Sequence, residues 1–162
     1  MVHGYAVRPF VLESVTRRLA SLDPRERRAD HGRLILAMDC LYFVQGWETH
    51  QQAGGGGGLM GALLDLAEHS RDVIDTAAEG ARMLAQVQPL RPEEQVRAVA
   101  GSVSVAVGDI ESASLSFFTS ILTVVTETHG EVLSFEIERQ YRKQVQAWLR
   151  SIPRARAPRT AP

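Results

Sequence analysis

Apolar residues recur at spacings of three and four along most of the chain, a pattern that predicts helices. Val11, Val15, Leu19 and Leu22 follow Pro9 in this way and give a short amphipathic helix over about 10–22. Asp23-Pro24-Arg25-Glu26 then supplies a capping side chain, a proline and an acid in the order that opens a helix, so a second helix is expected over 24–50. Its LILAMDCLYFVQGW run is apolar around most of its circumference, which marks it as the central buried element. A third helix over 59–88 carries Leu59, Leu63, Leu66, Val73, Ala77 and Leu84 as its stripe, and Pro89 and Pro92 end it.

Beyond Pro92 two readings compete. A charge-free seam of Val96, Ala100, Val103, Val107, Ile110, Ser114, Phe117, Ile121, Val124 and Thr128 predicts a long helix over 92–128, followed after Gly130 by a last helix over 131–151. Yet SVSVAV and LSFEIE alternate strictly, and Thr128-His129-Gly130-Glu131 has the composition of a turn. The helical reading gives an all-α bundle of about five helices spanning 1–152, with a flexible Pro/Arg tail over 153–162. The alternative is an α+β protein with late hairpins in 99–139.

Composition narrows the class. With 162 residues, 44% apolar and 23% charged, the chain is of a size and polarity that bury one core. Cys40 is the single cysteine, so no internal disulfide forms. No secretory leader and no 20-residue apolar span is evident, which leads to the expectation of a cytoplasmic protein without a transmembrane segment. The net charge of −1 hides an asymmetry: +3 over residues 1–33, −11 over 34–138 and +7 over 139–162. Only Lys143 among the eighteen basic residues is lysine, as a GC-rich genome would produce.

The motifs point to no catalysis. Gly56, Gly58 and Gly61 match G-x-G-x-x-G, but the match follows an expected helix rather than a strand, so the glycine run at 53–58 reads as a hinge between helices. Acids and histidines adjoin at Asp30-His31, Glu48-Thr-His50, Glu68-His69 and Glu127-Thr-His129, without the Glu-x-x-His spacing of a bundle metal site. Asp65, His69 and Asp72 align along one helical face that also carries Thr76 and Glu79 and reads as solvated. Asp39, the single charge of the apolar run, is expected at the edge of the buried face, and Cys40 as a small buried hydrophobe. No cofactor, metal or catalytic residue is assigned.

Function is therefore expected to lie in association. The seam residues Val103, Val107, Ile110, Phe117, Ile121 and Val124 are candidates for a homo-oligomer interface. The basic residues Arg150, Arg154, Arg156 and Arg159 are candidates for docking an acidic protein or an anionic surface, with nucleic acid disfavoured by the acidic body. From Leu59 to Thr128, two Ala- and Ser-rich amphipathic helices joined by a Pro-Glu turn resemble the phasins, which coat polyester storage granules. That resemblance implies a surface-active helical oligomer. A helical ligand-binding protein or enzyme using Asp39 and a histidine is the further alternative.

Overall fold

A computed structural model of the chain describes residues 8–20, 25–52 and 59–153. Seven strands form one antiparallel sheet curled into a half-barrel, and this overturns the all-α bundle. Strands β1 (Phe10–Leu19), β2 (Glu26–Leu36) and β3 (Cys40–Gln52) come first, followed by helices α1 (Leu59–Val87) and α2 (Pro92–Ala98). Strands β4 (Val103–Ala106), β5 (Ile110–Leu115), β6 (Ile121–Thr126) and β7 (Val132–Ile137) follow, and α3 (Arg142–Ser151) closes the described chain. The spatial order is β4-β3-β2-β1-β7-β6-β5.

The curl is visible in one contact. Three strand spacings separate β3 from β7, roughly 14 Å in a flat sheet. Phe43 of β3 and Phe135 of β7 nonetheless bring their ring centroids to 5.6 Å, so both strands turn their inner side chains toward one axis. This concave face holds the larger core, in which Leu12, Leu34, Phe43, Leu122 and Phe135 are fully buried beneath Val145 and Trp148 of α3. Trp148 donates its indole N–H to the carbonyl of Ala37 at 2.7 Å, fixing α3 over the β2–β3 hairpin.

Among the described residues the convex face is covered chiefly over β2 and β3, where Ile35, Tyr42 and Val44 pack against Leu84 of α1 and Val99 just after α2. Arg33 lies buried among them. Its Nε donates to Glu13 at 2.8 Å, and its Nη1 reaches the carbonyl of Leu84 and Oε1 of Gln95, each at 3.3 Å. Gln95 in turn donates to the carbonyl of Leu90 at 2.8 Å. One guanidinium thus ties strand, helix and connection together while its own polar atoms are satisfied.

The helix expected over 59–88 is present as α1, but those over 10–22 and 24–50 are replaced by strands, that over 92–128 survives only as α2 before β4, β5 and β6, and of 131–151 only α3 is a continuous α-helix. The run LILAMDCLYFV is two strands around a tight turn, closed by the Ala37 N–H donating to the Cys40 carbonyl at 3.0 Å. Its strands are apolar on both sides because both faces of the sheet are covered there, and a doubly buried strand pair shows no alternation. The late strands are covered on one face and do alternate: β6 and β7 bury Leu122, Val124, Leu133 and Phe135 and turn Thr123 and Ser134 outward. The turn reading of 128–131 also stands, with Gly130 at φ 59°. The phasin likeness loses its basis, since only its first helix exists as such. The glycine hinge at 53–58 and the tail from 154 lie outside the described residues. No described helix is long and apolar enough to cross a membrane.

Helix α1 approaches β3 at a pair of glycines. A β-carbon on Gly80 would lie 2.5 Å from the carbonyl oxygen of Gly46 and 2.9 Å from the Trp47 ring, at the irregularity where Gly46 is skipped in the β2–β3 register. Gly80→Ala is therefore expected to destabilise the protein by about 1–3 kcal/mol through overpacking, although alanine is intrinsically the better helix former by about 1 kcal/mol. Urea denaturation would measure this, and a stabilised variant would mean that α1 is not seated on β3 in this way.

Candidate functional site

The apolar core does not fill the concave face along the whole length of the strands. Past Val15 on β1, Gly32 on β2 and Phe43 on β3, the inward positions become Arg17, Asp30, Gln45 and Glu48, with Leu133 of β7 facing them. These residues line a cleft of about 700 Å³, bounded also by Glu131 and Gly101. Strand alternation brings them together, since cross-strand partners share a face.

The central charges are held loosely. Arg17 Nη1 stands 3.8 Å from Asp30 Oδ2, and Nη2 stands 3.8 Å from Glu131 Oε1, beyond hydrogen-bonding distance in both cases. Arg17 Nε is buried and has no partner among the described residues. Asp30 is 5% exposed, and its Oδ1 accepts from the Gln45 amide at 3.1 Å. Burial pushes the Asp30 carboxyl above the usual carboxylate range, and Arg17 offsets part of that effect. The Gln45 main-chain N–H donates to Ser102 Oγ at 3.0 Å. Gly101, at φ 80°, lets the connection pass directly over the Gln45 side chain, where a β-carbon would overlap Oε1. At the rim, Arg28 clasps Glu48 at 2.8 Å and Arg18 clasps Glu136 at 2.8 Å.

A second cleft, about 620 Å³, opens on the opposite face around His31. The imidazole stacks on Trp47, with centroids 5.2 Å apart and planes inclined by 19°. Its Nδ1 lies 3.0 Å from Thr16 Oγ1 and its Nε2 2.9 Å from Thr49 Oγ1. The Thr49 hydroxyl donates to the Ala29 carbonyl at 3.4 Å, so it accepts from Nε2–H while Nδ1 accepts from Thr16. This assignment is a neutral ring. Burial accordingly pulls the His31 pKa down, opposed by the Glu136 carboxylate.

The residues singled out from the sequence are dispersed. Val107, Ile110 and Val124 are buried in the concave core, Val103 and Ile121 are half-buried, and Phe117 is exposed at the β5–β6 tip. Three of the six are thus committed within one protomer. Arg150 is exposed on α3, while Arg154, Arg156 and Arg159 lie outside the described residues. Asp39 sits exposed in the β2–β3 turn, and Cys40 is half-buried beside it, its thiol pushed up by burial. Asp30 and His31 point to opposite faces and form no joint site. Among the described residues no cluster of three metal-ligating side chains exists. In the sequence Asp30 stands out only beside His31, and Arg17 and Gln45 not at all, because 28 positions separate Arg17 from Gln45 and each looks like an ordinary polar position. No family model, curated protein or solved structure matches the chain.

Two pH effects follow, with opposite signs. The native pKa of His31 lies below its ordinary 6.5, so its contribution to stability is present above about pH 6.5 and is lost as pH falls through the native value. His31→Gln should flatten that part of the acid limb in thermal melts from about pH 7 to about pH 5; an unchanged slope would remove His31 as its source. The native pKa of Asp30 lies above its ordinary 3.8, so ionising it costs stability as pH rises. The melting temperature of Asp30→Asn, relative to the parent, should climb between about pH 4 and neutrality. A gap that narrows over this range would mean that pairing with Arg17 outweighs burial.

Proposed function

We propose that the protein is a binding module that holds a small carboxylate-bearing organic molecule in the concave cleft. One observation carries this reading: the largely buried Arg17 guanidinium lines the cleft with its Nε unpartnered. A buried donor without an acceptor costs about 1–3 kcal/mol, and a carboxylate received edge-on would satisfy two N–H groups of the fork at once. Asp30 and Glu131 flank the guanidinium at 3.8 Å without hydrogen-bonding to it, so they balance its charge without saturating its Nη groups. Leu19, Ala20, Val132 and Leu133 border the same cleft and offer a surface for the hydrocarbon part of the ligand. Its volume, about 700 Å³, lies within the range of small-molecule sites.

The lining among the described residues includes no serine, threonine, cysteine, histidine or lysine, and its titratable groups are Asp30, Glu48 and Glu131 beside three arginines. The ligand-binding alternative raised by the sequence thus reappears on a different scaffold, with Arg17 in the place given to Asp39.

A panel of aliphatic and aromatic monocarboxylates, with their amides and alcohols as controls, tests the reading by thermal shift and calorimetry. A fitting carboxylate at a hundredfold excess over its Kd should stabilise the fold by about 2.7 kcal/mol, and the matching amide should do far less. Arg17→Met should weaken binding at least tenfold, while Arg17→Lys retains part of it. Equal stabilisation by acid and amide, or undiminished binding by Arg17→Met, would overturn the assignment.

A further inference from the structure

The β5–β6 connection presents two aromatic rings to solvent. Phe117 is 75% exposed and Phe118 89% exposed, and their rings meet edge to face with centroids 5.3 Å apart. The loop that carries them is pinned on both sides of Phe118. The Ser116 N–H donates to the Ile121 carbonyl at 2.9 Å and closes the hairpin, and the Ile137 N–H donates to the Ser120 carbonyl at 2.9 Å. Ser120 itself is buried and held at φ 54°, a conformation that non-glycine residues seldom adopt. Arg142, the first residue of α3, donates through Nη1 to the Phe117 carbonyl at 2.6 Å and to Ser120 Oγ at 2.9 Å. Its guanidinium also stands 5.3 Å from the centre of the Phe117 ring. The fold thus spends a cation and a left-handed residue on keeping two phenylalanines outside.

The α3 side of this tip is basic, while on β7 the Glu136 carboxylate opposite Ile121 is paired with Arg18. From Arg139 to Ser151 the chain carries Arg139, Arg142, Lys143 and Arg150 and no acid. Arg139, Lys143 and Arg150 are exposed, and Glu138, which accepts from the Gln140 amide, is the one acid that directly precedes them. The body of the chain is acidic, so this basic end is where an anionic surface would be received.

We propose that the Phe117–Phe118 tip and the basic start of α3 together form a peripheral docking surface for an anionic lipid bilayer. Rings projecting from a tip suit insertion at the boundary between headgroups and acyl chains, with adjacent arginine and lysine at the level of the lipid phosphates. A protein partner would have to supply a pocket for two rings and an acidic rim around it. A bilayer offers both without any specific shape.

Flotation of the full chain with vesicles of phosphatidylcholine alone, and of phosphatidylcholine containing about one-third phosphatidylglycerol, is the test. Binding is expected to the anionic vesicles only, and to weaken when salt is raised from about 0.1 M to about 0.5 M. Phe117→Ser/Phe118→Ser and, separately, Arg139→Gln/Lys143→Gln should each reduce it about tenfold. All four side chains are exposed, so unchanged circular dichroism and melting temperature should accompany the loss. Lack of binding to anionic vesicles, equal binding to neutral ones, or full binding by the double serine variant would each overturn the proposal. A particle mass by light scattering that falls only in the serine variant, without vesicle binding, would assign the tip to a second copy of the chain instead.

Discussion

The half-barrel depends on an apolar seal inside its curve. Phe43 and Phe135 come from strands with two others between them, and they meet only because the sheet bends enough to bring its inner side chains together. Trp148 and Val145 of α3 then cover the inner face. Burying side chains of this size contributes about 1.5–3 kcal/mol each, and the Trp148 indole N–H satisfies the Ala37 carbonyl that the helix would otherwise leave unpaired. Remove the curl and these residues would face water on a flat sheet, while α3 would have no concavity to occupy.

The same curl sets the character of the candidate site. A concave face longer than α3 leaves a stretch that no described helix covers, and the inward positions there are polar: Arg17, Asp30, Gln45 and Glu48. Being inward, they are partly withdrawn from water. That withdrawal is why the Asp30 carboxyl is pushed up and why an unpaired Arg17 Nε is chemically informative. On the outer face the logic differs. Arg33 is buried with its partners in reach and acts as a clip for α1 and the α1–α2 connection. Two arginines on adjacent strands thus have different uses because one is saturated and the other is not.

Helix α1 links the faces through close backbone approach. Gly80 sits against the Gly46 irregularity, and the turn of sequence that skips Gly46 also re-aims β3 so that Gln45 and Glu48 point inward while Trp47 points outward to His31. A single extra residue in one strand therefore serves both the helix contact and the division between the two clefts.

The sequence by itself determined α1, whose helical stripe recurs from Leu59 to Leu84, and it contained β4 and β7 in the alternation of SVSVAV and LSFEIE. It also fixed the charge asymmetry that leaves residues after 138 wholly basic. What it did not disclose was the identity of LILAMDCLYFV, because a strand pair covered on both faces and a buried helix present the same continuous apolar run. The seam from Val96 to Thr128 misled for a related reason. Strands and turns of the right lengths happened to space apolar residues by three and four, and Val107, Ile110 and Val124 belong to one core only after folding. The cleft was beyond local reading altogether. Arg17, Asp30 and Gln45 become neighbours through strand pairing between distant segments, and whether a charged side chain is withdrawn, paired or left without an acceptor is decided by the curl of the sheet.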